Sequence, residues 1–85
     1  MPYRVQFRSS ARRQLRRLPT QIAEGIVQAA EALADEPRPR GAIKMKGPGD
    51  RYRIRVGDYR VVYEVEDREL IVVAIDIGHR SDIYR

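Results

Sequence analysis

The sequence predicts an α+β fold in the order β-α-α-β-β-β: an N-terminal strand, then an α-helical hairpin packed on one face of a twisted antiparallel β-sheet. Three observations predict it. Residues 2–8, PYRVQFR, alternate polar and apolar side chains with the period of a half-buried strand. Residues 9–36 carry apolar side chains at helical spacing, interrupted by Pro19. Residues 51–77 form three further strand-like runs, and links as short as theirs join only antiparallel neighbours.

The elements follow in order. Tyr3, Val5 and Phe7 share one face of the first strand, opposite Arg4, Gln6 and Arg8. In SSARRQLRRL, Ala11, Leu15 and Leu18 line one side of a short helix, with Ser9 or Ser10 as its N-cap. Arg12, Arg13, Arg16 and Arg17 occupy the other sides, and Pro19 stops the helix at about Leu18. From Thr20 to about Glu36, Ile22, Ile26, Ala29, Ala30 and Leu33 form the stripe of a second helix. Gly25 costs that helix about 1 kcal/mol relative to alanine and is expected to admit close packing of the first helix. Residues 37–49, with three prolines and three glycines, read as a loop. Strands are expected at 51–57, 59–66 and 70–77, turning at Gly57-Asp58 and Asp67-Arg68-Glu69. The apolar run LIVVAI in the last of them is expected to be central and covered on both faces. No repeat or linker divides the chain, so residues 1–85 read as one domain.

Composition narrows the chemistry. With 85 residues the core is small. There is no cysteine, which excludes disulfides, thiolate nucleophiles and Cys-type zinc sites. His79 is the single histidine, so neither a metal centre nor a cofactor is expected. No apolar run approaches the roughly 20 residues that span a bilayer, and MPYRVQF lacks the apolar segment of a signal peptide. A cytoplasmic protein is expected. The net charge is +5, and all basic residues but Lys44 and Lys46 are arginine, whose planar fork suits phosphate.

Strand alternation then sorts the arginines. Tyr52, Ile54 and Val56 share a face with the inward set Tyr59, Val61, Tyr63 and Val65 of the next strand. Arg51, Arg53, Arg55 and Arg60 therefore project from the face that the helices leave open. With Lys46 and Arg80 they suit an anionic ligand, against the alternative of a solvated charged face. Arg12 and Arg13 belong to a solvated helix face or an auxiliary contact with a nucleic-acid backbone. His79, at a strand end, and Tyr84, near the terminus, are either structural or functional.

Taken together, FRSSARRQLRRLP, IKMKGPGDRYRIRVGDYRVVYEVED and IGHRSDIYR resemble the RelE/ParE toxin superfamily, the toxins of type II toxin–antitoxin systems. The resemblance covers essentially the whole chain. It implies a microRNase-like fold, a cognate antitoxin as partner and, for the RelE branch, metal-independent cleavage of messenger RNA on the ribosome. For the ParE branch it implies action on DNA gyrase without nuclease activity. Arg60 and Arg80 match arginines that hold the phosphate in RelE-like enzymes, and Tyr84 matches a C-terminal tyrosine implicated in catalysis or base stacking. Arg53 and Arg55 stand where such enzymes often have lysines. The implied phosphate- and RNA-binding set is Arg53, Lys44, Lys46, Arg51, Arg12 and Arg13, around a catalytic set of Arg55, Arg60, His79, Arg80 and Tyr84. Arginine meets the growing phosphorane charge but does not release a proton near neutral pH. Proton transfer is therefore expected from His79 or Tyr84, with Glu64 as a further option.

Overall fold

The computed structural model describes residues 2–79, so Arg80 and Tyr84 lie outside the described residues. Its elements are β1 (Arg4–Phe7), α1 (Ser9–Arg16), α2 (Thr20–Ala32), β2 (Ile43–Lys44), β3 (Arg51–Val56), β4 (Tyr59–Glu66) and β5 (Ile71–His79). They build a five-stranded sheet in the order β1-β5-β4-β3-β2. The expected layout holds, with two refinements. β1 pairs with β5 in parallel, because the helical hairpin and the meander carry the chain back in the direction in which it set out. Inside the proline- and glycine-rich segment, Ile43 and Lys44 pair with Arg53 and Tyr52 and add a short edge strand.

The meander matches the alternation read from the sequence. Val56 opposes Tyr59 across a two-residue turn, and Gly57 takes φ +60 at its first central position, where a type II′ hairpin calls for glycine. Apolar residues of the sheet meet the helices in two patches. Val61, Ala74 and Ile77 pack with Ala11 and Ile26. Tyr63, Val65 and Val72 pack with Leu33. Tyr63, wholly buried, donates its hydroxyl to the Pro37 carbonyl at 2.7 Å. It also stacks on Tyr52, with ring centroids 5.9 Å apart.

β5 lies inside the sheet, between β1 and β4, but Ile71 and Val73 are only half-buried, so the expected cover on both faces is incomplete. α2 ends at Ala32 rather than near Glu36. The Ala34 carbonyl there accepts from the Tyr3 N–H at 2.8 Å, which draws the chain to the sheet edge ahead of Pro37. Neither Ser9 nor Ser10 caps α1: Arg8 is the N-cap residue, and no side chain caps the helix. A Cβ on Gly25 would meet nothing within 4 Å, so close helix packing does not account for this glycine. Among the described residues no helix is long and apolar enough to cross a membrane, and no cluster could hold a metal ion.

Candidate nucleic-acid interface

Register fixes which side chains share the open face. Arg55 is directly opposite Arg60, and Arg53 is opposite Val62. Opposed residues of an antiparallel pair point to the same side, so Arg53, Arg55 and Arg60 stand together on the face away from the helices. Ile43 joins them through its pairing with Arg53. These residues, with Gly41 and Ile54, line a cavity of about 240 Å³. Arg60 is its innermost cation, 4 % exposed, whereas Arg55 is exposed. A buried guanidinium sees a lower effective dielectric than an exposed one, so its pull on a bound anion is stronger. The short strand β2, absent from the sequence reading, supplies the rim through Ile43. Two residues are too few to show an alternating pattern.

The remaining candidates divide. Arg51 shares the open face and pairs with Glu64, Nε to Oε2 at 3.3 Å. Lys44 does not share it: opposite Tyr52, it lies on the helix side, where its Nζ reaches Asp50 at 2.7 Å and sits 5.2 Å from the Tyr52 ring centroid. The Asp50 carboxylate raises the Lys44 pKa. Lys46 is exposed in the loop that follows β2. Arg12 and Arg13 are exposed on α1, on the helix side, and Arg12 Nε donates to the Phe7 carbonyl at 3.2 Å. They form no part of the arginine cavity.

His79 also stands apart from it. Its partner is Tyr59, a helix-side residue, and the two rings meet edge to face with centroids 5.3 Å apart. The hollow beside them, about 350 Å³, is lined by Gln14, Arg17, Leu18 and Asp76 rather than by the arginines of the open face. Strand parity thus points the His79 side chain to the face of the sheet opposite that of Arg55 and Arg60. A larger hollow of about 460 Å³ lies between α1 and α2, but Leu15, Leu18, Ala23 and Val27 make it mainly apolar.

Comparison with known proteins settles the family. Residues 5–84 match the ParE toxin family of the parDE type II toxin–antitoxin system. The chain belongs to the RelE/ParE toxin superfamily. It is 37% identical over 86 residues to the toxin RelG of Mycobacterium tuberculosis, covering 100% of this chain and 99% of that protein. It is 31% identical over 88 residues to the mRNA interferase toxin RelE of Escherichia coli strain K12, covering 99% and 92%. The structure is similar to the toxin–antitoxin complex RelBE2 of M. tuberculosis, with a TM-score of 0.83, 33% identity, and 96% and 95% of the two chains covered. In this superfamily member the order of elements and the helical hairpin on the sheet thus match those of similar toxin structures.

Proposed function

We propose that this superfamily member is the toxin of a type II toxin–antitoxin pair and cleaves messenger RNA on the ribosome. The observation that carries the reading is the cavity in which Arg53, Arg55 and Arg60 converge. Its support from outside is the likeness, over 99% of the chain, to a protein named as an mRNA interferase. In the reaction the 2′-oxygen attacks the adjacent phosphorus and the bond to the 5′-oxygen breaks. The products are a 2′,3′-cyclic phosphate and a 5′-hydroxyl. The 2′-hydroxyl proton passes to a base, and the leaving 5′-oxygen takes up a proton. Arg60 and Arg55 meet the charge that grows on the non-bridging oxygens, and Arg53 holds the neighbouring backbone. Arg80 is assigned to the same phosphate by the resemblance. For proton transfer, the position of His79 on the helix side favours Tyr84. A cognate antitoxin neutralises the toxin, as the toxin–antitoxin complexes of similar chains suggest.

Primer extension on transcripts translated by purified ribosomes tests this. The wild-type protein is expected to cut within translated regions. Arg60→Ala is expected to lower the rate by roughly 100-fold or more, the usual scale for losing a transition-state contact, and His79→Ala to lower it by less than about 3-fold. The match to the ParE family keeps gyrase inhibition as a second reading. Loss of gyrase supercoiling in the presence of the protein, with transcripts left intact, would establish that reading in place of the first.

A further inference from the structure

β5 carries one residue more than β4 in the middle of their ladder. Asp76 lies opposite Val62 and Ala74 opposite Tyr63, so Ile75 is left over as a β-bulge. On its other side β5 loses β1 at the same point, because that ladder ends at Phe7 and Ala74. Backbone groups beyond Ala74 therefore need partners from elsewhere.

α1 provides them. Ser10 Oγ donates to the Ile75 carbonyl at 2.9 Å. Gln14 Oε1 accepts from the Ile77 N–H at 2.7 Å. Gln14 Nε2 donates to Asp76 Oδ1 at 2.6 Å. Ser10 and Gln14 are four residues apart and thus one turn apart on the same side of the helix. The orientation of the Gln14 amide is forced, since an N–H can only donate and an ionised carboxylate can only accept. This also explains why Ser10 does not cap α1: its hydroxyl is engaged by the sheet.

The bulge decides what flanks Arg60. With it, Arg60 lies opposite Gly78 and Val61 opposite Ile77. Without it, continuing the pairing of Tyr63 with Ala74 would put Ile77 beside Arg60 and Asp76 opposite Val61, in the core. The extra residue thus buries Ile77, 2 % exposed, against Ala11 and Ile26. It also leaves Arg60 beside a position with no side chain.

We infer that Gln14, seconded by Ser10, is a positioning residue for Arg60: it clamps the β5 bulge that sets Gly78 rather than Ile77 alongside the buried guanidinium. The inference rests on the proposed ribonuclease for its consequence in rate, but the clamp can be read without it.

Gln14→Glu keeps the acceptor for Ile77 and sets a carboxylate against Asp76. Adding Asp76→Asn restores a donor–acceptor pair with the roles exchanged. On programmed ribosomes in single turnover, Gln14→Glu is expected to lower the rate constant at saturation by roughly 10-fold or more, with half-saturation moved by less than about 3-fold. The double variant is expected to return to within about 3-fold of wild type. In the free protein, the Arg60 Nε–H resonance and the hydrogen exchange of the Ile77 amide should shift in Gln14→Glu and return in the double variant. A wild-type rate constant in Gln14→Glu would overturn the inference. So would a double variant that stays slow, stays displaced at Arg60 or fails to fold. If the wild-type protein cuts no transcript, the functional reading fails instead, and the two resonance measurements alone decide the clamp.

Discussion

Replacing Arg38 by methionine isolates the electrostatic clamp that ties three connections of the fold together. Arg38 follows α2 and pairs with Asp50, in the loop before β3, and at 2.8 Å with Asp67, in the turn after β4. Its Nε donates to the Tyr52 hydroxyl at 2.9 Å, and Tyr3 donates to Asp67 at 2.6 Å. Hydrogen bonds from Lys44 and then Arg38 hold the Asp50 carboxyl at about 2, below its ordinary 3.8. Asp67 is also held low, first by Arg38 and then by Tyr3. At full weight the Asp50 displacement corresponds to roughly 2 kcal/mol. Solvent screening, and the Lys44 contact that survives the substitution, reduce the expected loss to about 1 kcal/mol at pH 7.

For a domain of this size such a loss lowers Tm by about 4–8 °C. Both carboxyls are depressed in the folded state, so their stabilisation is complete above the unfolded carboxyl pKa, near 4, and disappears as pH falls toward 2. Thermal melts of both proteins from pH 7 to 2.5 should therefore show the largest gap at pH 7 and a closing gap below pH 4. Added salt should narrow it at neutral pH. An equal gap at both ends of the pH range, or none at pH 7, would refute the clamp.

Two further outcomes concern single residues. Tyr63→Phe leaves the Pro37 carbonyl without its 2.7 Å donor and should cost about 1 kcal/mol in urea unfolding. Because burial pushes the Tyr63 phenol up to about 12, the absorbance titration of the wild-type protein should lose a high-pH tyrosine ionisation in this variant. Gly25→Ala adds a methyl group into open space on α2 and should raise stability by about 0.4–1 kcal/mol, read as a higher Tm.

The faces of β3 and β4 were legible in the sequence because each strand buries only one side. Tyr52, Ile54 and Val56 against Arg51, Arg53 and Arg55 leave a single consistent assignment, and the register of Arg55 with Arg60 follows from a two-residue turn at Gly57. In β5 the same logic has nothing to work on. A run as uniformly apolar as LIVVAI has no alternation to break, so the surplus residue at Ile75 leaves no trace in the pattern. The phase beyond the bulge was therefore hidden, and with it the face on which His79 falls. Ser9 or Ser10 read as an N-cap, and tertiary structure overrode that reading: both lie within α1, and Ser10 Oγ donates instead to the Ile75 carbonyl at the bulge. Lys44 looked like one more cation for the ligand. A two-residue strand, invisible to periodicity, turned it to the helix side and onto Asp50.

The register sets Arg55 directly opposite Arg60 on the face away from the helices. The Cβ atoms of directly opposed residues lie roughly 4.5–5.5 Å apart, and like charges on such stems are unfavourable unless another group offsets them. Within the same sheet, beyond the pair of Arg53 with Val62, Arg51 faces Glu64, which is how such strands balance charge. The sheet thus carries a balanced pair at one end of β3 and a like-charged pair at the other. Under the proposed ribonuclease reading, a phosphate between Arg55 and Arg60 would meet both guanidinium groups, and the phosphorane, with more negative charge, would be met more strongly. Under that reading the two arginines would favour the transition state over the substrate, the direction that catalysis requires.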